Sequence, residues 1–406
     1  MAKIRKRTWT NKDGKQEAWI VDYKDQLGAR HIETHPTRKK ADEARRKIEG
    51  DVDRGVHTPA NASLTVSEAG EAWIKQAETD GLERSTVRQY RQHLDLHIVP
   101  LLGNAKLAQL TVATIKTFRN DLIAAGRSRD MAKRVVTSLG GILADAQTAR
   151  QVARNVVREH AQENRTQTRR HRLIEKRHEQ EIKEGVDYPT KPELHAMLQV
   201  PGRWHVLVVT AVFSGLRASE LRGLTWDHVD LHNGIIQVRQ RADRWNELGD
   251  VKSSSAKRDV TILPYAVNTL KEWKLACPKS DLDLVFPNNI GGIENLPNIH
   301  RRGLGPLQFA AGITTAAEWL AKNPRMTERR AKAEARRHPK YGLHSLRHTA
   351  ASLWAERGYS PKKVQTLMGH STIAMTLDIY THLWKSHDQE DPTMAQLEAA
   401  IGLNRA

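Results

Sequence analysis

One charged segment near the middle of the chain does most to limit how this protein can fold. Between residues 155 and 185 the sequence is dominated by Arg, His, Glu and Lys, as in ENRTQTRRHRLIEKRHEQEIKEG. Such a stretch has little apolar surface to bury, so it cannot lie inside a hydrophobic core. It predicts separate domains joined by a charged linker at 161–186, and 406 residues are enough for two or three domains. An extended linker and an exposed helix that contacts phosphates fit the composition equally well.

The charge balance of the whole chain favours a polyanionic partner. There are 65 Lys and Arg residues against 47 Asp and Glu residues, which gives a formal net charge of +18. Nucleic acid is the first candidate partner and an anionic membrane surface the second. A solvated basic surface with no partner is the third interpretation. The membrane interpretation needs an amphipathic anchor, and the sequence offers none.

The cysteine count and the N-terminal sequence indicate the compartment. Cys277 is the single cysteine, so neither an internal disulfide nor a cysteine-based metal site can form. A lone thiol fits a reducing compartment. The basic N-terminus is not followed by the apolar stretch of a signal peptide, and the most apolar run, Trp204–Phe213, is too short to span a bilayer. We therefore expect a soluble, cytoplasmic protein with no membrane partner.

Residues 1–55 have the pattern of a small β-sheet followed by a helix. The predicted elements are strands at Ile4–Thr10, 18–23 and Arg30–Thr34, a turn at Asn11–Gly14 and a basic helix at Thr37–Ile48. Because Lys and Arg occur in the strands as well as in the helix, a small DNA-binding module is the favoured interpretation. A basic accessory domain with a packing role is the alternative.

Residues 64–160 have the pattern of a compact, all-helical domain. Thr65 and Glu68 have the spacing of a capping box and open the first helix. Further helices are predicted at 85–96, 111–124 and 129–150. Arg and Lys are scattered between the apolar positions, which suits DNA binding, although an ordinary helical bundle has the same composition.

Residues 187–395 predict a mixed but mostly helical domain, followed by a tail at 396–406. A second capping box, Thr190 to Glu193, opens it. The predicted elements are helices at 204–213 and 218–224, a small antiparallel sheet from strands at 235–241, 249–252 and 259–263, and a long basic helix at Thr314–Arg337. The fold class is therefore multidomain and mainly α, with one small sheet in the N-terminal module and a second small antiparallel sheet in the last domain.

Four segments of this last domain carry side chains suited to chemistry on a phosphate. In Phe213–Leu221, Arg217 follows a turn glycine at a helix start, where a guanidinium and helix N–H groups can hold a phosphate. In Asp250–Val260, Lys252 lies at a predicted hairpin tip and could reach into a groove or donate a proton to a leaving oxygen. Taken singly, a surface arginine and an ordinary basic turn explain these residues as well.

The other two segments supply histidines, a second arginine and a tyrosine. His344 and Arg347 are three residues apart, so on a helix they share a face, where one can move a proton and the other fix an oxygen. His370 follows a glycine, and Tyr380 lies ten residues further on. Tyrosine is a competent nucleophile for phosphate and a reversible leaving group. Taken singly, His344 and Arg347 are also explained as a satisfied pair on a helix surface.

The ordered set of these residues resembles the tyrosine site-specific recombinases of the phage integrase family. The flanking residues match as well, in Ser-Gly-Leu-Arg-x-Ser-Glu-Leu, Leu-Arg-His-Thr and Gly-His-Ser. The resemblance covers about residues 187–395 specifically. Upstream only the layout is similar: 64–160 resembles the family's core-site-binding domain and 1–55 its arm-binding domain. The basic helix at Thr314–Arg337 looks like an insertion.

The resemblance implies a covalent mechanism that needs neither ATP nor a metal or other cofactor. Tyr380 is then the nucleophile, which forms a 3′-phosphotyrosine that keeps the energy of the broken bond for rejoining. Arg217 and Arg347 would neutralise the charge that develops on the non-bridging oxygens.

The same resemblance implies roles for the remaining three residues. Lys252 would be the general acid for the 5′-oxygen, His344 would assist proton removal from the tyrosine, and His370 would donate a hydrogen bond to the phosphate. The implied partners are double-stranded DNA at core and arm-type sites, a homo-tetramer on DNA, and an accessory DNA-bending or excision-directing protein. The implied location is the nucleoid of a bacterial host. A helical pattern at Thr393–Leu403 predicts a segment that packs on a neighbouring subunit or on its own domain.

Integration and excision of a prophage or other mobile element is the expected role, because of the N-terminal module. Two alternatives use the same scaffold: relaxation of DNA by type IB topoisomerase chemistry, and DNA binding without catalysis. Two upstream DNA-binding domains argue against the first, and an intact catalytic set argues against the second.

Overall fold

The structure, a computed structural model, describes residues 2–11, 14–25, 28–53, 63–162, 182–251 and 253–385. The chain divides into two compact units, Met1–Arg172 and Leu173–Ala406. Most of the predicted linker at 161–186 and all of the predicted tail at 396–406 lie outside the described residues, and so does the Thr393–Leu403 pattern. Among the described helices, none combines the length and the apolarity needed to span a lipid bilayer.

The first unit begins with a three-stranded antiparallel sheet, as predicted. Strands β1 (Lys3–Asn11), β2 (Gly14–Lys24) and β3 (Arg30–His35) lie in that order, with Asn11 opposite Gly14. Helix α1 (Arg38–Asp53) contacts all three strands. A small core lies between sheet and helix and includes Ala2, Val21, Tyr23, Ala41 and Ile48.

The opposite face of this sheet is basic. Side chains alternate between the two faces of a strand, and directly paired residues share a face. Ile4 pairs with Val21 on the helix-covered face, so Lys3, Arg5 and Arg7 belong to the other one. Exposed members of that face include Lys3, Arg5, Arg7, Trp9, Lys24, Arg30 and Ile32.

The rest of the first unit is helical, as predicted. Its elements are α2 (Val66–Thr79), α3 (Arg84–His93), a π-helical turn (Leu94–Ile98), α4 (Val99–Leu102), a 3₁₀ turn (Leu107–Gln109), α5 (Val112–Ala124), α6 (Arg129–Thr148) and α7 (156–162). The predicted capping box is present: the Thr65 hydroxyl accepts the Glu68 N–H at 3.1 Å, and the Glu68 carboxylate accepts the Thr65 N–H at 2.7 Å. Apolar side chains of α2, α5 and α6 form the core.

The second unit is mostly helical with two small sheets. Its helices are α8 (Lys191–Gln199), α9 (Arg203–Ser214), α10 (Ala218–Arg222), α11 (Pro264–Ala276), α12 (Leu296–Asn298), α13 (Gly305–Ala310), α14 (Ala316–Lys322), α15 (Glu328–Arg337), α16 (Leu343–Glu356), α17 (Pro361–Met368) and α18 (Ile373–Lys385), with a π-helical segment (Ile299–Leu304) between α12 and α13. Short 3₁₀ turns lie at Trp226–His228 and Ser254–Ala256. The second predicted capping box, Thr190 with Glu193, opens α8.

The sheet of this unit differs from the prediction of one sheet. Strands β4 (Val229–Asp230), β5 (Ile235–Val238) and β8 (Arg258–Thr261) form one antiparallel sheet, and β6 (Gln240–Ala242) pairs with β7 (Leu248–Asp250) in another. The predicted strand 235–241 is interrupted at Arg239, because Val238 still pairs with Arg258 while Gln240 pairs with Asp250.

The prediction of a single long helix at Thr314–Arg337 is wrong. The chain forms two helices there, α14 and α15, separated by a turn. Proline disfavours helix at the residue before it and cannot supply a backbone donor, so Asn323-Pro324 ends the first helix. Thr327 then caps the second by accepting the Arg330 N–H at 3.4 Å.

Candidate active site

The first site arginine is held at the start of a short helix. Arg217 is the N-cap of α10, two residues after Gly215 ends α9 with a left-handed φ of +61°. A Cβ atom at Gly215 would lie 2.8 Å from the Trp354 ring, so backbone conformation and space both require glycine. The Arg217 side chain is partly exposed and donates to Glu220 Oε1 at 2.8 Å and to the Gly369 carbonyl at 2.7 Å.

Glu220 connects Arg217 to a second, fully buried arginine. Arg258 of β8 donates to Glu220 Oε2 at 2.8 Å and to Oε1 at 3.2 Å, and both side chains are 3 % exposed. Burial alone would raise the pKa of Glu220, but the hydrogen bonds and charge of Arg258, together with Arg217, outweigh it and lower the pKa to about 2. Glu220 is therefore ionised and fixes both guanidinium groups.

Arg347, on α16, extends its side chain into the same region as Arg217 and Arg258. It is 2 % exposed and donates to the Gly215 carbonyl at 2.6 Å and to the Met368 carbonyl. Burial and the nearby charges of Arg217 and Arg258 lower its pKa to about 9, so it still carries a positive charge at neutral pH.

All three arginines donate hydrogen bonds to consecutive carbonyl oxygens at the end of α17. Arg258 Nε donates to the Leu367 carbonyl at 2.6 Å, Arg347 to that of Met368 and Arg217 to that of Gly369. The last carbonyls of a helix lack helical donors and carry partial negative charge, so cations are stabilised there. We call Leu367, Met368 and Gly369 the carbonyl triplet.

His370 follows the carbonyl triplet directly. Gly369 has a left-handed φ of +62°, which turns the chain out of α17. His370 is 8 % exposed, and its Nδ1 lies 2.9 Å from Thr376 Oγ1. Burial, then the charges of Arg347, Arg217 and Arg258, lower the pKa of His370 to about 3. The ring is neutral at physiological pH, and its Nε2 has no hydrogen-bond partner among the described residues.

His344 lies at the outer edge of the site. It is the second residue of α16 and is exposed, and its ring meets the His348 ring edge-on with centroids 4.4 Å apart. Partial burial and the charges of Arg347 and Arg217 lower its pKa.

Tyr380 is fully enclosed in this structure. It lies on α18, is 0 % exposed and packs with Ala351, Val364 and Met368. Its hydroxyl is 2.7 Å from His348 Nδ1. Burial raises the pKa of Tyr380, against a lowering effect of Arg347, while burial and the neighbouring His344 and Arg347 lower the pKa of His348 to about 4. The pair is therefore a neutral phenol hydrogen-bonded to a neutral imidazole.

The structure thus brings five of the six predicted residues into one region. Arg217, Arg347 and His370 meet at the carbonyl triplet, and Tyr380 connects to His344 through His348. Lys252 lies outside the described residues, between β7 and the turn that leads to β8, and its role stays a prediction. In the described part of the chain, no group of three or more His, Cys, Asp or Glu side chains is placed to hold a metal.

Sequence reasoning missed the roles of Glu220, Arg258 and His348, although all three lie in the segments that carry the predicted site residues. Glu220 lies three residues after Arg217, which is the spacing of a side chain that reaches back to a helix start. Arg258 lies two residues before buried Val260, on the same face of β8, and His348 lies one helical turn after His344. These spacings could have flagged all three.

Two family models match the chain. Residues 192–387 match the phage integrase family, and residues 65–123 match the phage integrase N-terminal SAM-like domain. Among curated proteins, prophage integrase IntR of Escherichia coli (strain K12) is 26% identical over 345 residues, covering 83% of this chain and 80% of that protein.

Other relatives match mainly over part of their length. Tyrosine recombinase XerC of Xylella fastidiosa (strain M23) is 32% identical over 170 residues, which cover 42% of this chain and 45% of that protein. The transposase from transposon Tn916 of Enterococcus faecalis is 29% identical over 173 residues, covering 42% of this chain and 40% of that protein. The solved Tn1549 transposon integrase in complex with a circular intermediate DNA has the same fold, with a TM-score of 0.58 at 17% identity, covering 84% of this chain and 99% of that one.

Proposed function

Since this chain belongs to the phage integrase family and is a tyrosine recombinase for site-specific DNA recombination, we propose that it integrates and excises a prophage or other mobile element through covalent attack of Tyr380 on DNA. The observation that carries the proposal is the carbonyl triplet, which fixes Arg217 and Arg347 side by side and is followed at once by His370. Two cations and a neutral imidazole in one place suit the non-bridging oxygens of a phosphodiester.

In the proposed reaction the bond from Tyr380 Oη to phosphorus forms as the bond to the 5′-oxygen breaks. The products are a 3′-phosphotyrosine and a free 5′-hydroxyl, whose proton comes from Lys252. Rejoining reverses these steps, so neither ATP nor a metal is required. Arg217 and Arg347 stabilise the charge on the phosphate oxygens, and His370 Nε2 donates a hydrogen bond to one of them.

The proton of Tyr380 has to leave during the attack. In the enclosed state, transfer to His348 is strongly unfavourable, because burial raises the tyrosine pKa and the imidazole pKa is only about 4. We therefore assign His348 a positioning role, holding the protonated tyrosine, and keep exposed His344 as the group that assists proton removal at the phosphate. Tyr380 must become accessible before it can react.

Duplex DNA is the proposed substrate, with core sites bound by the helical part of the first unit and by the second unit. For arm-type sites we propose the basic face of the N-terminal sheet, where Arg5, Arg7 and Arg30 share the face with exposed Trp9 and Ile32, and Asp22 pairs with Arg5 and Arg30. Arginines beside exposed apolar side chains can contact phosphates and bases together. Affinity should fall steeply with salt, with a log–log slope of about −0.9 for each phosphate neutralised.

Recombination joins two duplexes, each cut on both strands, so we propose a homo-tetramer as the working form on DNA. An accessory protein that bends DNA or directs excision belongs to the same proposal. So does a location on the nucleoid of a bacterial host.

Covalent trapping tests the proposed function. The protein is incubated without magnesium with nicked suicide duplexes from the element's ends or from a random library, then denatured and examined for an adduct. We expect a 3′-linked adduct on Tyr380 that is lost in Tyr380→Phe and kept in Tyr265→Phe, which removes an exposed hydroxyl elsewhere on the unit.

Two results would contradict the proposal. Specific DNA binding without any adduct would favour a non-catalytic regulator. Relaxation of any supercoiled plasmid by a monomer would favour topoisomerase chemistry.

A further inference from the structure

Helices α14 and α15, which replace the predicted long helix, form a helical hairpin that packs tightly on the rest of the second unit. Ala331 and Ala335, one turn apart on α15, are 0 % exposed. Thr314 Oγ1 donates to the Ala335 carbonyl at 3.1 Å, and the Arg336 guanidinium lies 4.9 Å from the centre of the Phe309 ring. Small buried residues let α15 pack closely on α13, so its opposite side is presented to solvent in a fixed orientation.

The outward side of this hairpin carries unbalanced positive charge. The two carboxylates of α15 are already engaged: Glu328 with Lys332 at 2.7 Å and Glu334 with His338 at 3.2 Å. Apart from Arg336, which lies over the Phe309 ring, four exposed arginines on or just before α15 have no carboxylate partner among the described residues: Arg325, Arg329, Arg330 and Arg337.

The neighbouring π-helical segment Ile299–Leu304 extends this charge toward the active site. Its Arg301 and Arg302 are exposed, and the segment contacts α15. The His300 ring lies 3.6 Å from where a side chain at Gly342 would begin, and Gly342 is the N-cap of α16, two residues before His344. A row of cations thus starts beside the site where the scissile phosphate would bind.

We propose that these six arginines form a hairpin surface that binds the sugar–phosphate backbone of the duplex beyond the scissile phosphate. The hairpin surface consists of Arg301, Arg302, Arg325, Arg329, Arg330 and Arg337. This inference rests on the proposed function, because the duplex must leave the active site along a neighbouring surface. Exposed arginines without carboxylate partners fit phosphate oxygens, and such contacts add affinity with little sequence preference.

The hairpin surface is separate from the machinery of cleavage. Among the described hydrogen bonds and ion pairs, none joins its arginines to Arg217, Arg347, His370 or Tyr380. Removing its charge should therefore weaken DNA binding and leave the chemical step unchanged.

The test compares Arg329→Gln/Arg330→Gln with the charge-matched control Lys271→Gln/Lys279→Gln on exposed sites of the same unit. The probes are labelled duplexes from the element's ends, one of about 20 base pairs around the cleavage point and one of about 40, titrated at several salt concentrations. For the long duplex we expect about tenfold weaker binding by the Arg variant and a log–log salt slope shallower by about 2. The control should bind as the parent does.

Adduct formation separates this inference from the proposed function. At saturating protein on the short duplex, the Arg variant should form the Tyr380 adduct at the parental rate. Identical affinity and salt slope for parent and Arg variant on the long duplex would overturn the hairpin surface, even with a normal adduct. Unchanged DNA binding with lost recombination in host extract would also overturn it, in favour of an acidic protein partner. A parent that binds DNA but forms no adduct would refute the proposed function instead.

Discussion

Substitution of Glu220 by Gln gives a sharp test of how the active site is held together. The Glu220 carboxylate receives two hydrogen bonds from Arg258 and one from the Arg217 side chain, and both partners in the Glu220–Arg258 pair are 3 % exposed. Glutamine keeps the volume but removes the negative charge, so Arg258 becomes a buried cation without a counter-ion. Breaking a buried pair in this way costs about 3–5 kcal/mol. Because Arg258 keeps its Leu367 and Ala256 carbonyl acceptors, we expect a loss of about 3 kcal/mol.

Cleavage should suffer as well, because the backbone and the side chain of Arg217 donate to different oxygens of the Glu220 carboxylate, and the glutamine amide keeps one acceptor oxygen in place of two. Misplacement of a positioned group by about 1 Å costs about 100-fold in rate, so single-turnover adduct formation should fall by that order. Adding Arg258→Met removes the unpaired charge and should recover part of the unfolding free energy, but not the cleavage rate.

The assays are urea unfolding followed by tryptophan fluorescence and adduct formation on a suicide duplex. Glu272→Gln, which changes an exposed carboxylate on α11, is the matched control and should leave both measurements unchanged. An unfolding free energy for Glu220→Gln within about 1 kcal/mol of the parent would refute the assignment of Glu220 as the counter-ion of a buried arginine.

Three further predictions follow from the same region. His348 and His370 are buried and neutral, with pKa values lowered to about 4 and about 3. The free energy of unfolding is therefore highest above pH 6.5, where both rings are also neutral in the unfolded chain, and it falls as the pH drops toward 4. For His348 the full loss of unfolding free energy is about 3 kcal/mol. Urea unfolding at pH 7 and pH 4.5 should therefore show a smaller drop in unfolding free energy for His348→Phe than for the parent. An equal drop in both proteins would contradict the assignment of His348 as a buried neutral group. At pH 7, His348→Phe should cost about 1–3 kcal/mol by leaving the Tyr380 hydroxyl unpaired, and Tyr380→Phe in the same chain should recover it; additive losses would exclude the hydrogen bond. Gly369→Ala places a Cβ atom 2.9 Å from Arg258 Nη1 on a left-handed backbone, so it should lower both unfolding free energy and adduct rate, whereas Gly358→Ala, left-handed but with open space, should lower stability alone.

Local signals in the sequence were enough to predict much of the fold. The capping boxes at Thr65 and Thr190 start helices where expected, and the N-terminal sheet and helix follow their turn and periodicity signals. Where prediction failed, the deciding interaction was either overlooked or not local. Pro324 divides the basic helix, a local signal that the charge pattern obscured. The change of strand partner at Arg239 depends on which distant strands lie alongside it.

The active site shows the same division between local and non-local information. Residue type and order pointed to Arg217, His344, Arg347, His370 and Tyr380, and the structure places them in one region. Spacing could have flagged Glu220, Arg258 and His348 as candidates, but the contacts that they make could not be derived from the sequence, because packing decides them. The hydrogen bond between His348 and Tyr380 joins residues 32 positions apart.

The carbonyl triplet affects what changes this region can tolerate. Its acceptors are peptide oxygens, which every amino acid carries, so replacing the side chain of Leu367 or Met368 leaves the arginines their partners as long as the replacement packs. Adding or deleting one residue in α17 is different. It would shift the carbonyl oxygen that each arginine meets by one residue, and it would displace His370 by the same step. Length, more than residue identity, is therefore the property of this short helix that sequence drift has to preserve.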